Sequence, residues 1–85
     1  MPERPEWWEY ELDVSNPHLR EKMIVRRFNE VDLRDMMEHG LALKPDYEPG
    51  RWILETTFEN APWEVVLEPN EGSKRLIVVT AYEVY

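Results

Sequence analysis

The chain has 85 residues and no cysteine, and its 18 acidic side chains outnumber 10 basic ones, for a formal net charge of -8. This length accommodates one hydrophobic core, so we expect a single domain over residues 1–85. The lack of cysteine excludes disulfide frameworks and cysteine-based zinc sites. No apolar run approaches the roughly 18 residues of a membrane-spanning helix, and the N-terminus has no signal-peptide pattern. The default expectation is therefore a cytoplasmic protein without a membrane partner.

The charge is unevenly distributed along the chain. Residues 1–17 carry five acids and one base, and residues 28–85 carry twelve acids and five bases. Residues 18–27, called here the basic segment, reverse this balance with four bases against one acid. Those bases are Arg20, Lys22, Arg26 and Arg27. An acidic chain is unsuited to general nucleic-acid binding, so the basic segment is the informative feature.

The first predicted element is a strand over residues 8–14. Its apolar side chains alternate strictly with three acids, which is the period of a half-buried strand. Asn16 is a suitable N-cap and Pro17 a suitable first helical residue, so a helix is predicted over residues 17–27.

A second helix is predicted over residues 30–39. Asn29 and Asp32 have the spacing of a capping box, and Leu33, Met36 and Met37 are expected to face inward. Gly40 is predicted to end this helix in the left-handed conformation. A tight turn would then join the two helices.

The remaining sequence predicts strands over residues 41–44, 51–59, 63–68 and 75–85, separated by turn residues. The continuous apolar run Leu76–Val79 predicts burial on both faces. The expected fold is α+β: an N-terminal strand, two short helices, then a three- to four-stranded antiparallel sheet with the helices packed on one face. The predicted core contains Leu12, Met23, Leu33, Met36, Leu54, Val66, Ile77 and Val79.

Three residues of the basic segment form a stripe along the first predicted helix. His18, Lys22 and Arg26 are spaced four residues apart, which places them on one side of a helix. Two cations beside a histidine suit anion chemistry, because the cations hold a phosphate and the imidazole transfers a proton near neutral pH. The alternative is an ordinary surface whose bases balance nearby acids. From spacing alone we favour this plainer interpretation.

Two hydroxyls of the last strand are further candidates. Thr80 and Tyr82 share one strand face, and they would meet His18 if that face looked toward the first helix. The alternative is that both residues are simply good strand formers. The two histidines, His18 and His39, lie far apart and no acidic cluster surrounds either, so the sequence predicts no metal and no cofactor.

Two motifs resemble a family of small bacterial domains of unknown function related to BrnT- and RelE-type toxins. The first runs from His18 to Leu33, and the second is Val78-Val79-Thr80-Ala81-Tyr82. The resemblance covers about residues 12–83 and implies the fold of the barnase–EndoU–colicin–RelE group. Lys22 stands where the family usually has Arg. Arg27 stands where it has Gly, so either the turn differs or Arg27 adopts a left-handed backbone.

The resemblance implies a metal-independent endoribonuclease or toxin-like domain that binds RNA through the basic segment. His18 would then act as general acid or base, while Lys22 and Arg26 would hold the phosphate. Thr80 and Tyr82 would orient the phosphate or share the proton transfer. The alternative is a non-catalytic interaction domain of the same fold, which binds a basic protein partner through its acidic surface.

Overall fold

In the computed structural model, which describes residues 4–85, two short helices pack against a five-stranded sheet. After a 3-10 helix at Glu6–Glu9, the elements are β1 (Glu11–Asp13), α1 (Pro17–Val25), α2 (Glu30–Glu38), β2 (Ala42–Pro45), β3 (Trp52–Phe58), β4 (Ala61–Asn70) and β5 (Arg75–Glu83). The predicted α+β class is confirmed. None of the helices within residues 4–85 is long and apolar enough to cross a membrane.

The strands lie in the order β1-β5-β4-β3-β2. Strands β2 to β5 form antiparallel pairs, as predicted, whereas β1 pairs with β5 in parallel. A parallel pair needs a long crossover, and the chain through α1 and α2 supplies one. The first strand is shorter than predicted, because Glu6–Glu9 forms a 3-10 helix instead. That helix packs Trp7 on Trp52 of β3, with ring centroids 5.8 Å apart.

Both helices begin at the predicted caps. The Asn16 side chain accepts a hydrogen bond from the His18 backbone N–H at 2.9 Å. At α2, Asn29 and Asp32 form the reciprocal bonds of a capping box. These bonds satisfy N–H groups that the first helical turn would otherwise leave unpaired.

Helix α1 ends before residue 27, earlier than predicted. Arg27 has a left-handed backbone with φ of 56°, which is one of the two outcomes expected for a non-glycine residue at this turn. The Phe28 N–H donates to the Met23 carbonyl at 3.0 Å, which is the closing bond of a Schellman motif. Burial of Phe28 and Met23 in the core accompanies this strained turn.

Gly40 follows the C-cap His39 of α2, as predicted, but the prediction of a left-handed backbone at Gly40 is wrong. A Cβ at residue 40 would lie 2.8 Å from Cδ1 of Leu54. Glycine therefore permits the chain after α2 to pass close to β3. The buried Thr56 hydroxyl of β3 also donates to the Met36 carbonyl of α2 and ties the same layers together.

The core lies between the helices and one face of the sheet. Met23, Leu33, Met36 and Leu54 are buried there as predicted. Val66 is buried too, but on the opposite face of the sheet. In contrast, Leu12, Ile77 and Val79 are only half-buried. Leu76 and Val78 face the helices, whereas Ile77 lies on the opposite face, which no element within residues 4–85 covers. The predicted burial of Leu76–Val79 on both faces is therefore wrong.

A bulge in β5 changes the direction of the residues that follow it. Val66 pairs with Thr80 and Leu67 pairs with Val78, so Val79 is the extra residue. Beyond the bulge, Ala81 points into the core. Thr80 and Tyr82 consequently share the open face of the sheet with their β4 partners Val66 and Glu64.

Candidate functional site

Helix α1 presents the stripe of His18, Lys22 and Arg26 along one flank of its buried face. Leu19 and Met23 are buried and hold the helix against the sheet. His18 and Arg26 are exposed, and Lys22 is half-buried. Lys22 lies one turn and His18 two turns before Arg26, roughly 6 and 12 Å along the helix axis. The stripe therefore runs the length of α1.

Arg26 follows the last turn of α1 and covers part of the edge of β5. Its Nη1 donates to the Ala81 carbonyl at 2.9 Å and to Thr80 Oγ1 at 3.3 Å. Because β1 pairs only with residues 75–77 of β5, the edge beyond that point has no partner strand within the described chain. An unpaired edge carbonyl needs a donor, and Arg26 supplies it. The guanidinium is thus fixed in position while its remaining N–H groups stay available to a ligand.

Tyr82 lies on the open face beside Glu64. Its hydroxyl donates to Glu64 Oε1 at 2.7 Å. Burial, followed by the hydrogen bond and the charge of Glu64, raises the pKa of Tyr82 to about 12. Tyr82 is therefore protonated at neutral pH, and it acts as a hydrogen-bond donor rather than as a base.

Arg26 and Tyr82 line a common cleft of about 350 Å³. The other residues of this cleft are Val25, Trp63, Glu83 and Tyr85. The structure thus brings together three of the predicted site residues, Arg26, Thr80 and Tyr82, from two distant segments of the chain. His18 and Lys22 do not line this cleft, and no side-chain hydrogen bond or ion pair within residues 4–85 links them to it.

The bases outside the basic segment all have partners. Arg34, Lys44, Arg51 and Arg75 each lie within 4.0 Å of a carboxylate. Arg4 and Lys74 lie over the aromatic rings of Trp8 and Tyr10.

The four bases of the basic segment behave differently. Among the residues that the structure describes, no carboxylate lies within ion-pair distance of Arg20, Lys22, Arg26 or Arg27. The plainer interpretation of the stripe predicts that these bases balance nearby acids, and the described residues form no such pairs. Unpaired cations on an acidic protein are available to an external anion.

The other chemical groups have structural partners. At the end of α2, His39 Nδ1 lies 2.8 Å from the Asp35 backbone carbonyl and 3.3 Å from the Asp35 carboxylate. Within residues 4–85 no group of three His, Asp or Glu side chains is placed to hold a metal ion.

Sequence reasoning missed Glu83, which lines the cleft, and Glu64, which accepts the hydrogen bond of Tyr82. Their positions depend on the register between β4 and β5, where Glu64 pairs with Tyr82 and Trp63 with Glu83. The alternation in β4 would have indicated which residues share a face. The bulge at Val79, however, leaves no signal in a uniformly apolar run.

No protein-family model matches the chain, and searches of curated proteins and of solved structures find no match either. The toxin-related family thus stays a hypothesis based on the two motifs.

Proposed function

We propose that this domain is a metal-independent endoribonuclease or toxin-like domain of the BrnT/RelE type, which binds RNA phosphates along α1 and the adjacent end of β5. The observation that carries this proposal is the set of four bases that have no carboxylate partner within residues 4–85, on a chain of net charge -8. Lys22 and Arg26 are four residues apart, and like charges at this spacing cost a few tenths of a kcal/mol. A bound phosphate would compensate that repulsion.

Arg26 is the principal phosphate ligand in this proposal. Its contacts with Ala81 and Thr80 orient the guanidinium before any ligand arrives. The free N–H groups of a fixed guanidinium can bind phosphate oxygens of the RNA strand. Lys22, one turn earlier, adds a point charge along the path of the strand.

The proposed reaction is attack by a ribose 2′-oxygen on the adjacent phosphorus. The new P–O2′ bond gives a 2′,3′-cyclic phosphate as the P–O5′ bond breaks, one proton leaves the 2′-hydroxyl, and one proton reaches the 5′-oxygen. His18 would transfer one of these protons, and the other would be exchanged with water. Because His18 lies roughly 12 Å before Arg26 along α1, the reacting phosphate would lie beside His18 and Lys22, within reach of the exposed imidazole, and Arg26 would hold a neighbouring phosphate of the same strand. Thr80 offers a hydroxyl group beside Arg26 that would orient a phosphate, whereas Tyr82 already donates its hydroxyl proton to Glu64.

The test is incubation of the purified protein with mixed RNA in EDTA. Cleavage is expected, with cyclic phosphate termini on the products. His18→Ala is expected to slow cleavage by about 10²–10⁴-fold, the usual contribution of a general acid or base. His39→Ala is the matched control, because His39 is bound to Asp35 on α2, and it should retain the wild-type rate. Absence of cleavage, or equal rates in both variants, would contradict the proposal.

A second candidate function is binding of a basic protein partner, which a second cleft supports. This cleft of about 420 Å³ lies between the N-terminal segment and α2, and its lining includes Trp8, Tyr10, Glu11 and Glu38. The two aromatic rings already hold the cations of Arg4 and Lys74 at 5.3 and 5.2 Å. Glu11 and Glu38 form no ion pair within residues 4–85. Arg34 also lines the cleft but is paired with Glu30, so the Glu11 and Glu38 carboxylates are the groups that would hold an arginine or lysine side chain of a partner.

Titration with an oligo-arginine peptide, followed by NMR, tests this second function. Shifts at Trp8 and Tyr10 that weaken in Glu38→Gln would support it. Shifts spread evenly over all exposed acids would contradict a specific site.

A further inference from the structure

We infer that the cleft beside Arg26 seats a nucleobase that carries an amino group, adjacent to the phosphate site; this inference rests on the proposed function. The cleft has two kinds of surface. Arg26 provides a cationic end, while Val25, Trp63 and Tyr85 provide an apolar and aromatic surface. Its volume of about 350 Å³ falls within the range of small-ligand sites.

The aromatic surface has the properties of a stacking site. The Tyr85 side chain is fully exposed and Val25 is 67% exposed, so neither is used in the core. Trp63 is buried and is held by edge-on contacts with Phe28 and Phe58, at centroid distances of 5.6 and 5.7 Å. Unstacked bases of single-stranded RNA bind to such aromatic rings. The cleft thus offers a rigid floor and a free ring next to a phosphate ligand.

Glu83 supplies the polar group that would read the base. It lines the same cleft, and its position opposite Trp63 follows from the β4–β5 register. Tyr85, two residues later in the chain, lines the cleft as well. Glu83 and Tyr85 therefore form one wall of the cleft.

An ionised carboxylate accepts hydrogen bonds and cannot donate them. It pairs with the amino groups of adenine and cytosine, and with the neighbouring N–H groups of guanine. Uracil presents one N–H between two carbonyl oxygens. The negative carboxylate repels both of these oxygens. The cleft is accordingly expected to discriminate against uracil.

The test is titration of the intact chain with tetraribonucleotides of adenosine, cytidine or uridine, with the Trp63 indole signal observed by NMR. The adenosine and cytidine oligomers are expected to bind roughly tenfold more tightly than the uridine oligomer. Glu83→Gln should remove this preference, since an amide both donates and accepts. Tyr85→Leu should weaken the binding of all three oligomers about tenfold and leave the preference against uridine intact. Tyr47→Leu is the matched control, because Tyr47 is equally exposed in the turn after β2, and it should change nothing.

The outcomes separate the two proposals. Equal affinity for the three oligomers, with all of them weakened by Arg26→Gln, would overturn the base site and leave the phosphate site standing. Failure of the wild-type protein to bind any of the oligomers would overturn both.

Discussion

The open face of the sheet and the exposed side of α1 use charged residues in opposite ways. On the sheet, Arg51 pairs with Glu68 at 3.1 Å, and Lys44 pairs with Glu55 and Glu64 at 3.1 and 3.4 Å. On α1, the bases have no acidic partners within the described chain, and Ile24 is 80% exposed. The sheet thus satisfies its charges internally, whereas α1 leaves both cations and apolar surface for something else to bind.

The largest expected difference between the sheet and α1 is the loss of stability when an apolar side chain is shortened to alanine. Leu54→Ala removes a side chain that is fully buried between β3 and the helices, and it should lower the free energy of unfolding by about 2–5 kcal/mol. Ile24→Ala on α1 should stay within about 0.5 kcal/mol of wild type, because Ile24 is already in solvent. Urea melts measure both. Equal losses of unfolding free energy in the two variants would show that the exposed side of α1 contributes to folding as much as the core does.

The Tyr82–Glu64 pair provides a pH test of the sheet. The pKa of Tyr82 is about 12 in the folded protein, against 10.0 for an unperturbed tyrosine, so folding favours the protonated hydroxyl. Its contribution to stability is full below about pH 10 and is lost as pH rises toward 12. Tyr82→Phe should therefore flatten the alkaline decrease in stability, and Tyr47→Phe should leave it unchanged. A decrease as steep in Tyr82→Phe as in wild type would contradict this assignment.

Arg26 joins the two regions, and its replacement should affect both. Arg26→Gln removes the donor to Ala81 and Thr80, so it should cost about 0.5–1.5 kcal/mol of stability as well as weaken phosphate binding. Chemical denaturation and an RNA-binding titration at one salt concentration measure the two effects. Loss of stability with unchanged binding would assign Arg26 to edge protection alone.

The smallest expected effects come from single charges. Arg51→Gln breaks the pair with Glu68 and should cost about 0.2–1 kcal/mol. Lys22→Gln removes a cation that has no carboxylate partner among the described residues, so stability should be unchanged or raised by a few tenths of a kcal/mol. RNA binding should fall only in Lys22→Gln. Destabilisation by Lys22→Gln with normal binding would restore the interpretation of α1 as an ordinary charged surface.

Local features of the fold were predictable from short stretches of sequence. Asn16 with Pro17, and Asn29 with Asp32, determine where α1 and α2 begin, because a cap depends on groups within three residues of it. The order of helices and strands follows from periodicity in the same way. The stripe of His18, Lys22 and Arg26 could also be predicted, because its four-residue spacing is a local property of the sequence.

Longer-range contacts decided the rest. The parallel pairing of β1 with β5 joins residues more than sixty positions apart, and the role of Gly40 depends on Leu54 of another layer. The bulge at Val79 turns Thr80 and Tyr82 toward the open face, where Glu64 binds Tyr82. An apolar strand has the same composition with or without a bulge. Only packing against the neighbouring strand and helix selects the register, and with it the side chains that meet at the site.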